Sequence, residues 1–186
     1  MELPPENLYD LSNQKNNSEI FTEAIDDISK KTDVNDIVFI HLGGHGDKGR
    51  FQFKEDEKVV SYQWMNEKLE KINSKFMIVN VASCYSGSAI EYLESNNRII
   101  GTVCSADELG TFGWSANILK AFSNPMADKN GNHFVSIGEA HDWAQSENTI
   151  YDPLDPDNPG KNHHPQISDL SNLGQTTYLV EYQLDD

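Results

Sequence analysis

The sequence predicts an α/β fold with a mainly parallel central sheet and helices on both faces. Three observations predict it. Apolar runs without alternation recur at 37–40, Phe76–Ala82 and 98–103, as in strands buried on both faces. Amphipathic stripes at helical spacing separate these runs. The first two runs end in small-residue corners, His41-Leu42-Gly43-Gly44-His45-Gly46-Asp47 and Ser83-Cys84-Tyr85-Ser86-Gly87-Ser88. Strands alternating with helices imply crossover connections in one sheet, and chemistry in such sheets collects beyond the carboxyl ends of the strands.

Residues 1–17, with Pro4-Pro5 and an Asn/Gln cluster, read as a polar lead-in to one domain over 18–186. In the helix predicted at Ser18–Lys31, Ile20, Phe21, Ala24, Ile25 and Ile28 share a face. After the strand at 37–40, Phe51 and Phe53 followed by Val59-Val60 predict a short hairpin. Ser61 caps a helix carrying Tyr62, Met65, Leu69 and Ile72 on one stripe. The strand Phe76–Ala82 leads through its corner into a helix bearing Ala89, Ile90 and Leu93. Beyond the strand at 98–103, helical patches lie at 114–122 and 136–144. Residues 150–175 read as loop, with Asp152-Pro153, Asp155-Pro156 and Asn158-Pro159-Gly160 as turns, and 177–182 as a last strand.

At 186 residues the chain is long enough for one sizeable core. Thirty acidic against 14 basic residues leave a net charge of −16. Nucleic acid and anionic membranes are poor partners for such a chain, because both select Lys and Arg. Cations and basic peptides suit it better. The sequence contains no apolar run approaching the length of a spanning helix, and no signal-peptide pattern opens it. A soluble protein is the expectation; its location is otherwise unread. Cys84 and Cys104 are too few for a disulfide scaffold and read as free thiols.

Cys84 and His45 each follow a predicted core strand. Singly, each has a bland reading, a small buried hydrophobe and a loop histidine. Together they have the parts of a thiol nucleophile and its base. A sulfur near a helix N-terminus or an imidazole ionises more readily, and His45 can take and return the proton. The backbone N–H groups of Gly46 and Cys84 are candidate oxyanion donors. Gly87 is expected to let the backbone turn and a substrate come close.

An apolar strand, Gly44-His45-Gly46, a second apolar strand and Ser83-Cys84-Tyr85-Ser86-Gly87 together resemble the caspase–legumain superfamily of cysteine peptidases, clan CD. The separation of 39 positions between His45 and Cys84 is similar to that of the legumain-like branch. The resemblance covers roughly 18–183. It implies a caspase-like three-layer α/β/α sandwich, a Cys84–His45 dyad, an oxyanion donor at Gly46, and peptide or protein substrates. The segments 104–113 and 150–165 become substrate-pocket or activation loops, the second a site for self-processing.

Two departures qualify it. Members that cut after basic or Asn residues often carry an acid two positions before the cysteine, where this chain has Ala82. Asp47, Asp107 and Glu108, with Ser83 beside the nucleophile, are the alternative substrate-binding candidates, against a reading of the acids as solvated. The family's sheet also begins with a strand ahead of the first helix, and 1–16 do not read as one. Either the chain is a fragment, paired with another, or that strand is supplied differently. A catalytically silent binding or regulatory domain is therefore the alternative to a cysteine endopeptidase.

Three other motifs compete for the same residues or their neighbours. Gly44–Gly49 matches G-x-G-x-x-G, but the alternating Arg50-Phe51-Gln52-Phe53 follows where that fingerprint needs a helix. His41 and His45 are spaced like a helical zinc pair, yet Leu42-Gly43-Gly44 between them disfavours helix. Asp128, Asn130, Asn132 and Glu139 fall where an EF-hand calcium loop has ligands, with His133 in the place of the turn glycine. A turn at Asn130-Gly131 and a capping box at Ser136–Glu139 explain the same residues without metal. The chemistry requires no cofactor; calcium is the one ion the pattern allows, with the acids 152, 155 and 157 as a second place for it.

Overall fold

The computed structural model of the chain describes residues 5–12, 17–56, 59–110, 112–147 and 164–181. Helix α1 (Ser18–Lys31) starts where expected, because the Asn17 side chain accepts the Ile20 N–H and caps it. It buries Phe21 and Ile25. Strand β1 (Ile37–Gly43) continues through His41 and Leu42, beyond the predicted end. The glycine-rich corner is itself structured: β2 (His45–Asp47) pairs antiparallel with β3 (Arg50–Gln52), which pairs with β4 (Val60–Ser61). Ser61 caps α2 (Tyr62–Leu69) by accepting the Trp64 N–H.

Strand β5 (Phe76–Ala82) is buried along its whole length. It is followed by a 3-10 turn, Ser86–Ala89, α3 (Ile90–Leu93) and β6 (Arg98–Thr102). Then come α4 (Phe112–Ala121), β7 (Phe134–Ser136), α5 (Ile137–Ser146), β8 (Gln166–Asp169) and β9 (Tyr178–Glu181). The central sheet has the order β1-β5-β6-β8, with the first three strands parallel and β8 antiparallel.

Two apolar layers cover that sheet. Met77, Val79 and Val81 of β5 meet Phe21 and Ile25 of α1, Tyr62, Met65 and Leu69 of α2, and Leu93 of α3. Phe76 and Ile78 point the other way, against Trp114 and Ile118 of α4 and Ala140 and Ala144 of α5. Side chains alternate across a strand, so a run that is apolar on both faces must have a layer on each side. That is why β5 reads as unbroken.

One sequence expectation needs correction. The segment 150–175 contains β8, whose Gln-Ile-Ser-Asp sequence has three polar residues of four and is half exposed, so it carries no strand signal. Its strand pairing is with β6, from Ile99↔Asp169 to Thr102↔Gln166. The last strand is present as β9 and pairs antiparallel with β7 in a small sheet of its own. The proline-rich turns at 152–160 and the acids there lie outside the described residues. The lead-in residue Tyr9 hydrogen-bonds Asp27, and the Lys31 ammonium donates to the Tyr9 hydroxyl at 2.7 Å.

On the α4 side the core holds two histidines. The His41 Nε2 meets Ser115 Oγ at 2.6 Å, while His41 Nδ1 and His141 Nε2 are buried without partners. Burial lowers the pKa of both rings, so folding favours their neutral forms. The unfolded chain takes up these protons as pH falls through about 6.5, and stability present above that value is lost below it. The melting temperature should therefore drop between pH 7 and pH 5, above the range where ordinary carboxylates titrate. A flat profile over that interval would overturn this assignment.

Candidate active site

The parallel register of β1 and β5 brings the two sequence motifs together. The last paired residues are Gly43 and Ala82. His45 and Cys84 each lie two positions further on, at the carboxyl ends of neighbouring strands. The Gly44 N–H donates to Ala82 O at 3.2 Å and continues the pairing past the sheet. A Cβ built on Gly46 would lie 2.5 Å from Ser83 Oγ and 2.6 Å from Cys84 O. Only glycine lets the backbone after His45 press so closely on the backbone that carries Cys84. His45 is exposed, Cys84 half-buried, and both cysteines are free thiols.

The turn that aims Cys84 is strained and tightly held. Tyr85 adopts φ 56°, the left-handed region that non-glycine residues seldom occupy. Its N–H donates to Glu108 O at 2.7 Å, and its carbonyl accepts the Ser88 hydroxyl at 2.6 Å. The Ser88 Oγ in turn accepts the Gly49 N–H from the β2–β3 turn. Such strain persists where the surroundings over-determine it, which is typical of functional sites. The helix expected behind Cys84 begins as a 3-10 turn and ends at Leu93. Few aligned peptides stand there, so its dipole contributes less than the sequence suggested.

A family model described as the peptidase C13 family matches residues 12–148, well over half of the chain. The chain belongs to the peptidase C13 family. Among solved structures it is similar to caspase-1 from Spodoptera frugiperda, with a TM-score of 0.54 and 12% sequence identity over 85% of this chain and 69% of that one. At that identity the likeness speaks for the fold, which is the caspase-like α/β/α sandwich. No curated protein matches the chain.

Around the corner of this C13 chain the candidate pocket residues are arranged unequally. Asp47 is exposed, and its Oδ1 accepts the Lys48 N–H at 2.8 Å. Asp107 is also exposed and forms an ion pair with the Lys48 ammonium. Glu108 accepts the N–H groups of Ser105 and His164, each at 3.0 Å, and pairs with the His164 ring. Partial burial pushes the Glu108 carboxyl up, but the Ser105 and His164 bonds outweigh it and bring it down to about 2. Glu108 thus ties the chain entering β8 to the loop after β6. Ser83 is 3% exposed, with its hydroxyl turned to Tyr62 Oη at 3.2 Å and Cys84 O at 3.3 Å.

Gly87 serves a different close approach from the one expected. A Cβ there would meet Ala106 N and Gln166 Oε1, both at 2.5 Å, so the protein's own loop occupies that side. Cys104 is fully buried beneath the turn, its Sγ near Ser86 Oγ at 3.3 Å and Ser83 O at 3.4 Å. Burial pushes its thiol up. It acts there as a small hydrophobe with a weak donor.

The calcium-like loop closes on itself. Asp128 accepts the N–H groups of Gly131, Asn132 and His133. Asn130 Oδ1 accepts the Asn132 N–H, and Asn132 Oδ1 accepts that of Phe134. Glu139 Oε1 accepts from Lys129 N, Asn130 N and Asn130 Nδ2, and its Oε2 from the Ser136 N–H and hydroxyl. With Ser136 as N-cap, the capping box is complete. His133 takes φ 69°, so the turn forms without the usual glycine. Among the described residues there is no group of three His, Cys, Asp or Glu side chains able to hold a metal ion.

Sequence reading missed Tyr62, Ser88, Lys48 and His164 as neighbours of the site. Only Tyr62 left a signal. A tyrosine on a buried stripe needs a partner for its hydroxyl, so a polar group had to lie within reach.

Proposed function

We propose that this protein is a cysteine endopeptidase in which Cys84 is the nucleophile and His45 the general acid–base. One observation carries the reading: His45 and Cys84 stand at equal offsets past adjacent parallel strands, with Gly46 packed on the Ser83–Cys84 backbone. His45 takes the Cys84 proton as sulfur attacks the scissile carbonyl carbon. The N–H groups of Gly46 and Cys84 hold the oxyanion. The tetrahedral adduct collapses as His45 protonates the leaving amine, and the C–N bond breaks to leave a thioester. Water, deprotonated by His45, attacks the thioester; the C–S bond breaks, the acid departs and the thiol regains its proton.

Substrates are peptides or proteins. Asp107 is already paired with the Lys48 ammonium, and Glu108 is engaged by the His164 N–H and ring, which weakens the case for a preference for basic residues. Self-processing within 150–165 belongs to the same proposal, and that segment lies outside the described residues up to 163. The test is labelling with a peptidyl acyloxymethyl ketone, located by mass spectrometry. The adduct should map to Cys84 and vanish in Cys84→Ala. Equal labelling of the variant would sink the assignment. Absence of both labelling and turnover across a peptide library would favour the silent binding domain.

A further inference from the structure

We propose that Tyr62 is a positioning residue for the nucleophile turn, acting through the Ser83 hydroxyl; the role it serves rests on the cysteine-peptidase reading. Tyr62 is completely buried in the core layer formed with α1 and β5. Its Oη lies 3.2 Å from Ser83 Oγ, and Ser83 Oγ donates to Cys84 O at 3.3 Å. A hydroxyl has one proton. With the Ser83 proton on the Cys84 carbonyl, the phenol is the donor into Ser83. Burial pushes the phenol up to about 12, so it remains a donor at any ordinary assay pH.

The relay spans two elements that must stay in register for the chemistry. At one end, the Tyr62 N–H donates to Gly49 O at 3.0 Å, in the β2–β3 turn just beyond His45 and Gly46. At the other end it reaches the peptide following Cys84, whose carbonyl accepts from Ser83 and whose N–H, that of Tyr85, donates to Glu108 O. That peptide leads into the strained Tyr85. Ser83 Oγ and Cys84 O are also the atoms against which Gly46 packs. Tyr62 therefore couples the two elements, its backbone N–H fixed to the hairpin bearing the base and its phenol to the turn bearing the thiol. A core-filling role would need the ring alone; the geometry uses the hydroxyl.

The test compares Tyr62→Phe, Ser83→Ala and the double variant with wild type. Readouts are kcat and KM on a cleaved peptide, thermal melting, and the pH profile of Cys84 alkylation by iodoacetamide. Tyr62→Phe should lower kcat and slow Cys84 alkylation about 5–20-fold, the weight of one or two hydrogen bonds. KM should stay within about twofold, because the variant leaves the pocket intact. The double variant should be no worse than Ser83→Ala, since both act through one relay. An unchanged alkylation profile in Tyr62→Phe, or losses that multiply, would overturn the proposal. Wild type that alkylates at Cys84 yet cleaves no peptide would overturn the peptidase reading instead, while the alkylation comparison still decides the relay.

Discussion

Replacing His45 with alanine is expected to lower peptide turnover about 10²–10⁴-fold, the usual contribution of a positioned acid–base group. The fold should hardly notice. His45 is exposed at the start of the three-residue strand β2, and exposed substitutions commonly change stability by less than ~0.5 kcal/mol. For a domain of this size that is within about 2 °C in melting temperature. The loss should fall on kcat rather than KM, since His45 acts on the reacting atoms after binding. The competing histidine is His41, four residues earlier, but its ring is buried against Ser115 on the α4 side of the sheet. Steady-state kinetics of His45→Ala beside a melting curve make the check. Retention of more than about a third of wild-type turnover would move the base elsewhere.

Replacing Glu139 with alanine is expected to have the largest effect on stability, about 3–5 kcal/mol. Glu139 is 5% exposed and accepts three donors from the 129–130 backbone and side chain and two from Ser136. Removing its carboxylate breaks the capping box of α5, leaves the buried Ser136 N–H and hydroxyl without their acceptor, and strips three part-buried donors of Lys129 and Asn130 of theirs. For a chain of this length the melting temperature should fall by roughly 6–20 °C. Millimolar calcium should neither restore it nor raise the wild-type value, because these oxygens are already occupied by N–H donors. A calcium-dependent rise in wild type, as mass action requires for an ion bound only by the folded state, would instead support the calcium reading of the loop.

Much of the architecture was legible because core strands and amphipathic helices leave periodic signals. Helix α1 carries its apolar stripe, and β5 is apolar at nearly every position because it is covered twice. Strand β8 was not legible: its exposed residues pack little, and β6 supplies the pairing. The extension of β1 through His41 to Gly43 was hidden for a related reason. A histidine and a glycine read as corner chemistry until the register with Asn80 and Ala82 is seen.

The sequence by itself determined that His45 and Cys84 follow core strands in small-residue frames, since those choices are local and visible in residue type. It determined the cap and capping box of α5 for the same reason. Only the tertiary structure decided that the two strands are parallel neighbours in register, which turns 39 positions of separation into adjacency at one sheet edge. Only it decided that Gly87 yields to the protein's own loop, that Glu108 is tied to His164, and that the Tyr62 hydroxyl reaches Ser83. Contacts of that kind join side chains far apart in the chain. Their geometry is set by packing against a common sheet, and no local pattern of residues encodes it.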